Sequence, residues 1–151
     1  MDGVYDFLIA PALHEFASFA FEDICKEFIR ELQKRNELPF RYAKMGRWIG
    51  RTTLRDKNTV DGMRVAETEI DLLAIGRDEK EYLVGECKFK KEAFSFAEYL
   101  DTKTKLSPLK EKTKFHYVLF SESGFDDKIV AEIEKENNIQ LYTLSQIVDI
   151  N

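Results

Sequence analysis

The chain has 151 residues, the usual length of one domain, and its 44% hydrophobic and 34% charged residues allow a buried core with a solvated surface. Its net charge of −5 is unevenly spread: residues 30–65 hold ten basic and four acidic side chains, so a local excess of +6 leaves −11 elsewhere, a pattern that can mark a face for a polyanion. No apolar run spans a membrane, the N-terminal "MDGVYDFLIAPALHEF" lacks a secretion signal's basic and apolar regions, and Cys25 and Cys87 make neither a disulfide framework nor a CxxC zinc motif, so a reducing cytoplasm is expected.

In chain order, the first predicted element is a helix over residues 12–35. Leu13, Phe16, Ala17, Ala20, Ile24, Phe28 and Leu32 recur at three- and four-residue steps. Pro11 stands at its start, and Pro39 in "NELP" ends it. "FRYAKMGRWIGRTTL" reads as extended, and "RDKNTVDGMR" as a polar loop. Two strands follow, over residues 69–76 and 81–89, joined by a hairpin turn in "GRDEKE". The stretch "FKKEAFSFAEYLDTKTKLSPL" is expected to be helical in its first part and to stop before Pro108. "KFHYVLFS" is a strand, "SGFDDKIVAEIEKENN" a helix capped by Ser123 or Asp126, "IQLYTL" a last strand and "SQIVDI" a short helix. This order predicts an α/β domain: a mixed sheet of four to five strands flanked by helices.

Carboxylates in the apolar strands stand out, because burying one is costly unless something compensates it. Strand alternation puts Asp71 on a face with Leu73 and Ile75, and Glu86 on a face with Val84 and Lys88. With a turn centred between Asp78 and Glu79, position 71 falls opposite position 86. The two acids are then cross-strand neighbours and repel when bare. A divalent cation with oxygen ligands, Mg²⁺ or Mn²⁺, removes the conflict. Lys88 is expected to compensate the acids in the cation's absence. Glu69 reads as a strand-end acid at the surface, and His14 and His116, without a serine or carboxylate partner in sequence, as structural. Cys87 should point away from Glu86 and Lys88 into the core, and Phe94, Phe96 and Tyr99 should be helix core rather than base-stacking platforms.

An Asp on one strand followed by Glu-x-Lys on the next, here Asp71 and Glu86-Cys87-Lys88, resembles the PD-(D/E)xK nuclease superfamily. That resemblance implies a restriction-endonuclease-like fold, with a further acid from the preceding helix; Glu22 in "FAFEDICKEF" is the matching position. The blocks "FEDICKEFI", "LPFRYAKMGRWIG", "EIDLLAIG", "VGECKF" and "YVLFSESGF" together resemble the C-terminal domain of archaeal-type P-loop ATPases, from about residue 9 onward. Ile49 departs from that pattern, which usually has a second tryptophan there. The resemblance implies an N-terminal ATPase module as partner. This chain has no glycine-rich phosphate loop ending in Lys-Ser or Lys-Thr, so it is expected to be an excised domain or a split-gene product that binds no ATP.

Two readings follow. In the first, the domain is a Mg²⁺-dependent DNA phosphodiesterase: Asp71 and Glu86 hold the metal, Lys88 and Glu22 are catalytic, and Arg47 and Arg51 contact DNA phosphates. In the second, it is a non-catalytic module of the same fold that binds nucleic acid or docks on the ATPase. Solvent-reaching carboxylates at 71 and 86 favour the first; Lys88 closed onto Glu86 in a sealed pocket favours the second. Oligomerisation, substrate structure and coupling to ATP hydrolysis stay open.

Overall fold

The computed structural model describes residues 10–106 and 113–149. The elements are α1 (Ala10–Lys34), β1 (Tyr42–Arg55), β2 (Met63–Gly76), β3 (Glu81–Lys88), α2 (Phe96–Lys105), β4 (Lys114–Ser121), α3 (Asp127–Glu136), β5 (Ile139–Thr143) and α4 (Leu144–Val148). The strands lie in the order β1-β2-β3-β4-β5. β1, β2 and β3 form an antiparallel meander, while β3, β4 and β5 pair in parallel. The expected mixed sheet of four to five strands flanked by helices is the one found, with five strands and helices on both faces.

The sheet is buried on both faces, so its inner strands are apolar almost without interruption. On one face α1 contributes Phe21, Cys25, Phe28, Ile29 and Leu32, which pack on Leu72, Leu83, Val118 and Phe120. On the other, Tyr99 of α2 and Ile129 of α3 pack with Leu73, Val84, Tyr117 and Leu119. Successive residues of β4 serve the two cores alternately, as strand geometry requires.

The expected stripe of α1 is rotated. Phe16 is 73% exposed and Ile24 41%, while Phe21 and Cys25 are buried. The reason is geometric. A row of four-residue steps winds about the helix by roughly 40° per step, so Phe16 cannot share a flat face with Leu32. The buried set 21, 25, 28, 32 alternates four- and three-residue steps and stays on one side. The helix also ends before Pro39 acts. Asn36 adopts φ 56°, its N–H bonds the Gln33 carbonyl, and the Glu37 N–H bonds the Leu32 carbonyl. This is a Schellman closure, for which asparagine tolerates the left-handed conformation.

β2 starts at Met63, six residues before its expected start at 69, and pairs with β1 along its whole length. Its pairing with β3 covers Leu72 to Ile75 alone. The β1–β2 hairpin therefore projects beyond β3 as a two-stranded ribbon. At its root the Trp48 ring lies across Gly50, where a Cβ would come within 2.1 Å of it. The expected early helix in "FKKEAFSFAEY" forms later, at Phe96, because Ser95 and Glu98 make a capping box there. Phe94 accordingly is buried core ahead of the helix rather than part of it. Asp126 caps α3 through the Ile129 N–H and also accepts the Phe96 N–H at 2.7 Å, which ties the starts of α2 and α3 together. Pro108 lies outside the described residues.

Candidate active site

The β2–β3 register pairs Leu72 with Gly85 and Ile75 with Tyr82, which sets position 71 against position 86, as the turn placement predicted. The ladder stops at Leu72, and a side chain takes over. Asp71 Oδ2 accepts the Cys87 N–H at 2.9 Å, a donor that a strand carbonyl would otherwise satisfy. The strict alternation behind the expected face-sharing of Asp71 with Leu73 and Ile75 is interrupted here. β1 pairs Gly46 with Leu73 and Trp48 with Ile70, so Arg47 alone stands opposite both Asp71 and Leu72. This is a β-bulge, which breaks the alternation and re-aims a side chain. Ile70 and Leu73, three apart, consequently enter the same core. Asp71 is left where β2 and β3 part, its carboxylate turned toward β3.

Glu86 lies next to it on the α2 side and is 2% exposed. Burial, the Asp71 charge and a hydrogen bond with the Asp71 carboxyl push Glu86 up to about 8, against the pull of Lys105 and Lys88. Glu86 thus holds its proton more tightly than an ordinary carboxyl. The cation that reaches Glu86 is Lys105, with Nζ 3.5 Å from Oε1. Lys88, expected in this role, pulls on Glu86 without an ion-pair contact: its Nζ lies 3.5 Å from Glu98 Oε2 and 5.9 Å above the Phe94 ring. Burial would raise Glu98, but Lys90 at 2.7 Å, the Ser95 N–H and hydroxyl, and Lys88 outweigh it and hold Glu98 at about 2.

From the α1 side, Glu22 points to the same place. Burial and the Asp71 charge raise its pKa, while Arg47 opposes them. The Arg47 guanidinium is 2.7 Å from Glu22 and 3.8 Å from Glu69, and it covers the Phe19 ring at 5.7 Å. Arg47 therefore balances the acids rather than facing outward. Arg51 is exposed on the projecting ribbon, opposite Glu67. Cys87 packs into the α1 core, where the hydrogen bond its thiol gives to Cys25 and burial push that thiol well up. His116 is buried, with Nε2 3.7 Å from Glu81, and the His14 ring lies 5.9 Å from Phe89.

The structure thus gathers Glu22, Arg47, Asp71, Glu86 and, through Glu98, Lys88 around the gap between β2 and β3; Arg51 is set apart. Glu98 and Lys105 were not found from sequence. Ser95-x-x-Glu98 is a readable capping box. It says nothing of Lys88, and the Lys105–Glu86 contact depends on a crossover helix whose placement no local pattern carries. Among the described residues no three His, Cys, Asp or Glu side chains gather in a metal-holding arrangement. Two adjacent carboxyl groups at the gap in the sheet still suit one ion. Mg²⁺ and Mn²⁺ accept two carboxylates, a backbone carbonyl such as that near Cys87, and several waters. This donor set does not suit zinc.

The chain belongs to the family DUF234, described as archaea bacterial proteins of unknown function, whose model matches residues 2–104. It is 34% identical over 90 residues to an uncharacterized protein, MJECL04, from Methanocaldococcus jannaschii. The match spans 59% of this chain and 17% of that protein, so the matched segment is less than a fifth of its relative. Among solved structures, a repair endonuclease from Pyrococcus abyssi aligns at 17% identity and a TM-score of 0.42, over 82% of this chain and 46% of that one. The protein of unknown function AF1548 aligns at 14% identity and 0.44, over 81% and 58%. An EndoMS–dsDNA complex aligns at 17% and 0.39, over 79% and 43%. All three TM-scores fall below 0.5, so the functional reading rests on the site itself. No described helix is long and apolar enough to cross a membrane.

Proposed function

We propose that this domain is a divalent-metal-dependent DNA phosphodiesterase of the PD-(D/E)xK type. The observation that carries the reading is the Asp71–Glu86 pair: two acids pressed together at a gap in the sheet, one of them buried and driven up to about 8. Such a pair is unfavourable for a fold and useful for a cation. Asp71, Glu86 and the carbonyl near Cys87 would hold Mg²⁺ or Mn²⁺. The ion would supply charge for a phosphate oxygen and a more acidic bound water. Lys88, pinned by Glu98 and the Phe94 ring, would orient the attacking water or offset charge building on phosphorus. Glu22, with Arg47 set beside it, would hold a second ion or orient the water. Arg51 on the ribbon would contact the DNA backbone.

The second reading, a non-catalytic nucleic-acid-binding or ATPase-docking module, draws on a different observation: Glu86 is sealed from water and has a lysine partner. An N-terminal P-loop ATPase module is the partner we infer for either reading. Incubation of plasmid and single-stranded DNA with the protein and Mn²⁺ separates the two. Cleavage by wild type that Asp71→Asn and Lys88→Ala both abolish supports the nuclease. DNA binding without cleavage, unchanged by Asp71→Asn, supports the module.

A further inference from the structure

Lys105 has no part in the roles assigned so far, yet it is the cation at the buried acid. It sits in the last turn of α2. The helix around it is fixed on three sides. Leu106 is fully buried, Lys103 holds Glu136 at 3.1 Å, and Glu98 holds Lys90 at 2.7 Å. The Lys105 contact is different in kind. At 3.5 Å it is longer than those two, and its side chain is 30% exposed while that of Glu86 is 3% exposed. A lysine stem so placed can rotate its ammonium into water without moving the helix.

We propose that Lys105 is a tethered counter-cation of the carboxylate pair, which competes with a divalent ion for Glu86 and sets the metal affinity of the site. The inference rests on the metal-site reading above. The physics is that of like charges. With its ammonium at Glu86, Lys105 and an incoming M²⁺ would share one carboxylate, so the ion binds against a repulsion or after the lysine has left. A divalent ion carries two charges, so the ammonium at 3.5 Å from Glu86 repels it strongly, and removing the lysine charge favours the ion. Glu98 does not offer the same opening, since two lysines and a helix N-terminus already satisfy it.

The test is direct binding of Mn²⁺ to the full chain without DNA, by calorimetry and by loss of the free Mn²⁺ electron-resonance signal. Wild type, Lys105→Met, Lys105→Gln, Lys105→Arg and Asp71→Asn are compared, with melts in EDTA to verify that each is folded. Lys105→Met and Lys105→Gln should bind Mn²⁺ at least about tenfold more tightly than wild type, because the repelling charge is gone. Lys105→Arg should stay near wild type. Binding seen in Lys105→Met but not in wild type supports the proposal in its strongest form. Equal or weaker binding by both neutral variants, with wild-type binding intact and lost in Asp71→Asn, overturns the role of Lys105 and leaves the metal site standing. Absence of binding in wild type and all lysine variants overturns the metal site and Lys105's role with it.

Discussion

Two acidic regions lie on the α2 side of the sheet, close together and electrically opposite. At the start of α2, Glu98 is met by Lys90, Lys88, the Ser95 N–H and the Ser95 hydroxyl, and it is held at about 2. At the gap between β2 and β3, Glu86 meets burial, the Asp71 charge and one lysine at 3.5 Å, and it is pushed up to about 8. The protein has the means to satisfy a carboxylate and applies them to Glu98. It leaves the other region short of positive charge. The difference teaches that lysines near a motif do not by themselves neutralise it: Lys88 belongs to the motif in sequence and to Glu98 in space.

The largest effect expected concerns pH. Glu86 has its folded pKa raised above the ordinary carboxylate value of 4.5 to about 8. The folded protein keeps a proton that the unfolded chain releases. Stability from this group is full below about 4.5 and is lost as pH rises toward about 8, by a few kcal/mol. Glu86→Gln, which cannot ionise, should remove that part of the slope in chemical denaturation between those limits. Parallel curves for variant and wild type would place Glu86 in the same class as Glu98 and dissolve the comparison.

Next in size is the metal. Ion binding to the native state should stabilise wild type by about 2.7 kcal/mol at one hundred times the dissociation constant. Asp71→Asn should lose this gain and leave the metal-free fold as stable as before, since an amide oxygen can still accept the Cys87 N–H and the charge beside the buried Glu86 is gone. Melts with and without Mn²⁺ measure both. A metal-insensitive wild type together with an Asp71→Asn variant weakened by several kcal/mol would mean that the acids are structural.

At the other region the expected sign reverses. Glu98→Ala removes a helix cap, which costs about 1 kcal/mol, and frees Lys88 from its pin. Glu98 is held down, so its contribution is present above about 4.5 and fades as pH falls toward about 2, the mirror of Glu86. If the nuclease reading holds, cleavage should fall in Glu98→Ala while Mn²⁺ affinity changes little. An equal fall in both would make Glu98 part of the metal site instead.

These two regions were not equally legible in sequence. The register of the β2–β3 hairpin followed from the turn, because a two-residue period leaves little freedom once the centre is known. So position 71 opposite 86 was readable. The bulge opposite Arg47 was not, since it depends on how β1 meets β2, and it decides where Asp71 points. The rotation of α1 had a similar cause. Phe16, Phe19, Phe21 and Ile24 offer more than one apolar stripe, and the sheet selects among them. Pairings made by helices that return after a crossover, Lys105 with Glu86 and Lys88 with Glu98, leave no local trace.

The smallest effect separates two arginines that sequence had treated as a pair. Arg47 is bound at 2.7 Å to Glu22 and lies near Glu69, with its side chain 31% exposed. Arg51 stands on the exposed ribbon. Each phosphate contact contributes about one unit to the slope of log affinity against log salt. Arg51→Ala should flatten that slope by about one unit and leave stability within roughly 0.5 kcal/mol. Arg47→Ala should leave the slope unchanged. Its effect should fall on Glu22, whose pKa, already raised by burial and Asp71, loses its main opposing partner and rises further. Salt titrations of DNA binding for the two single variants test this. A slope lowered equally by both would return Arg47 to the DNA face and require its guanidinium to leave Glu22 when DNA binds.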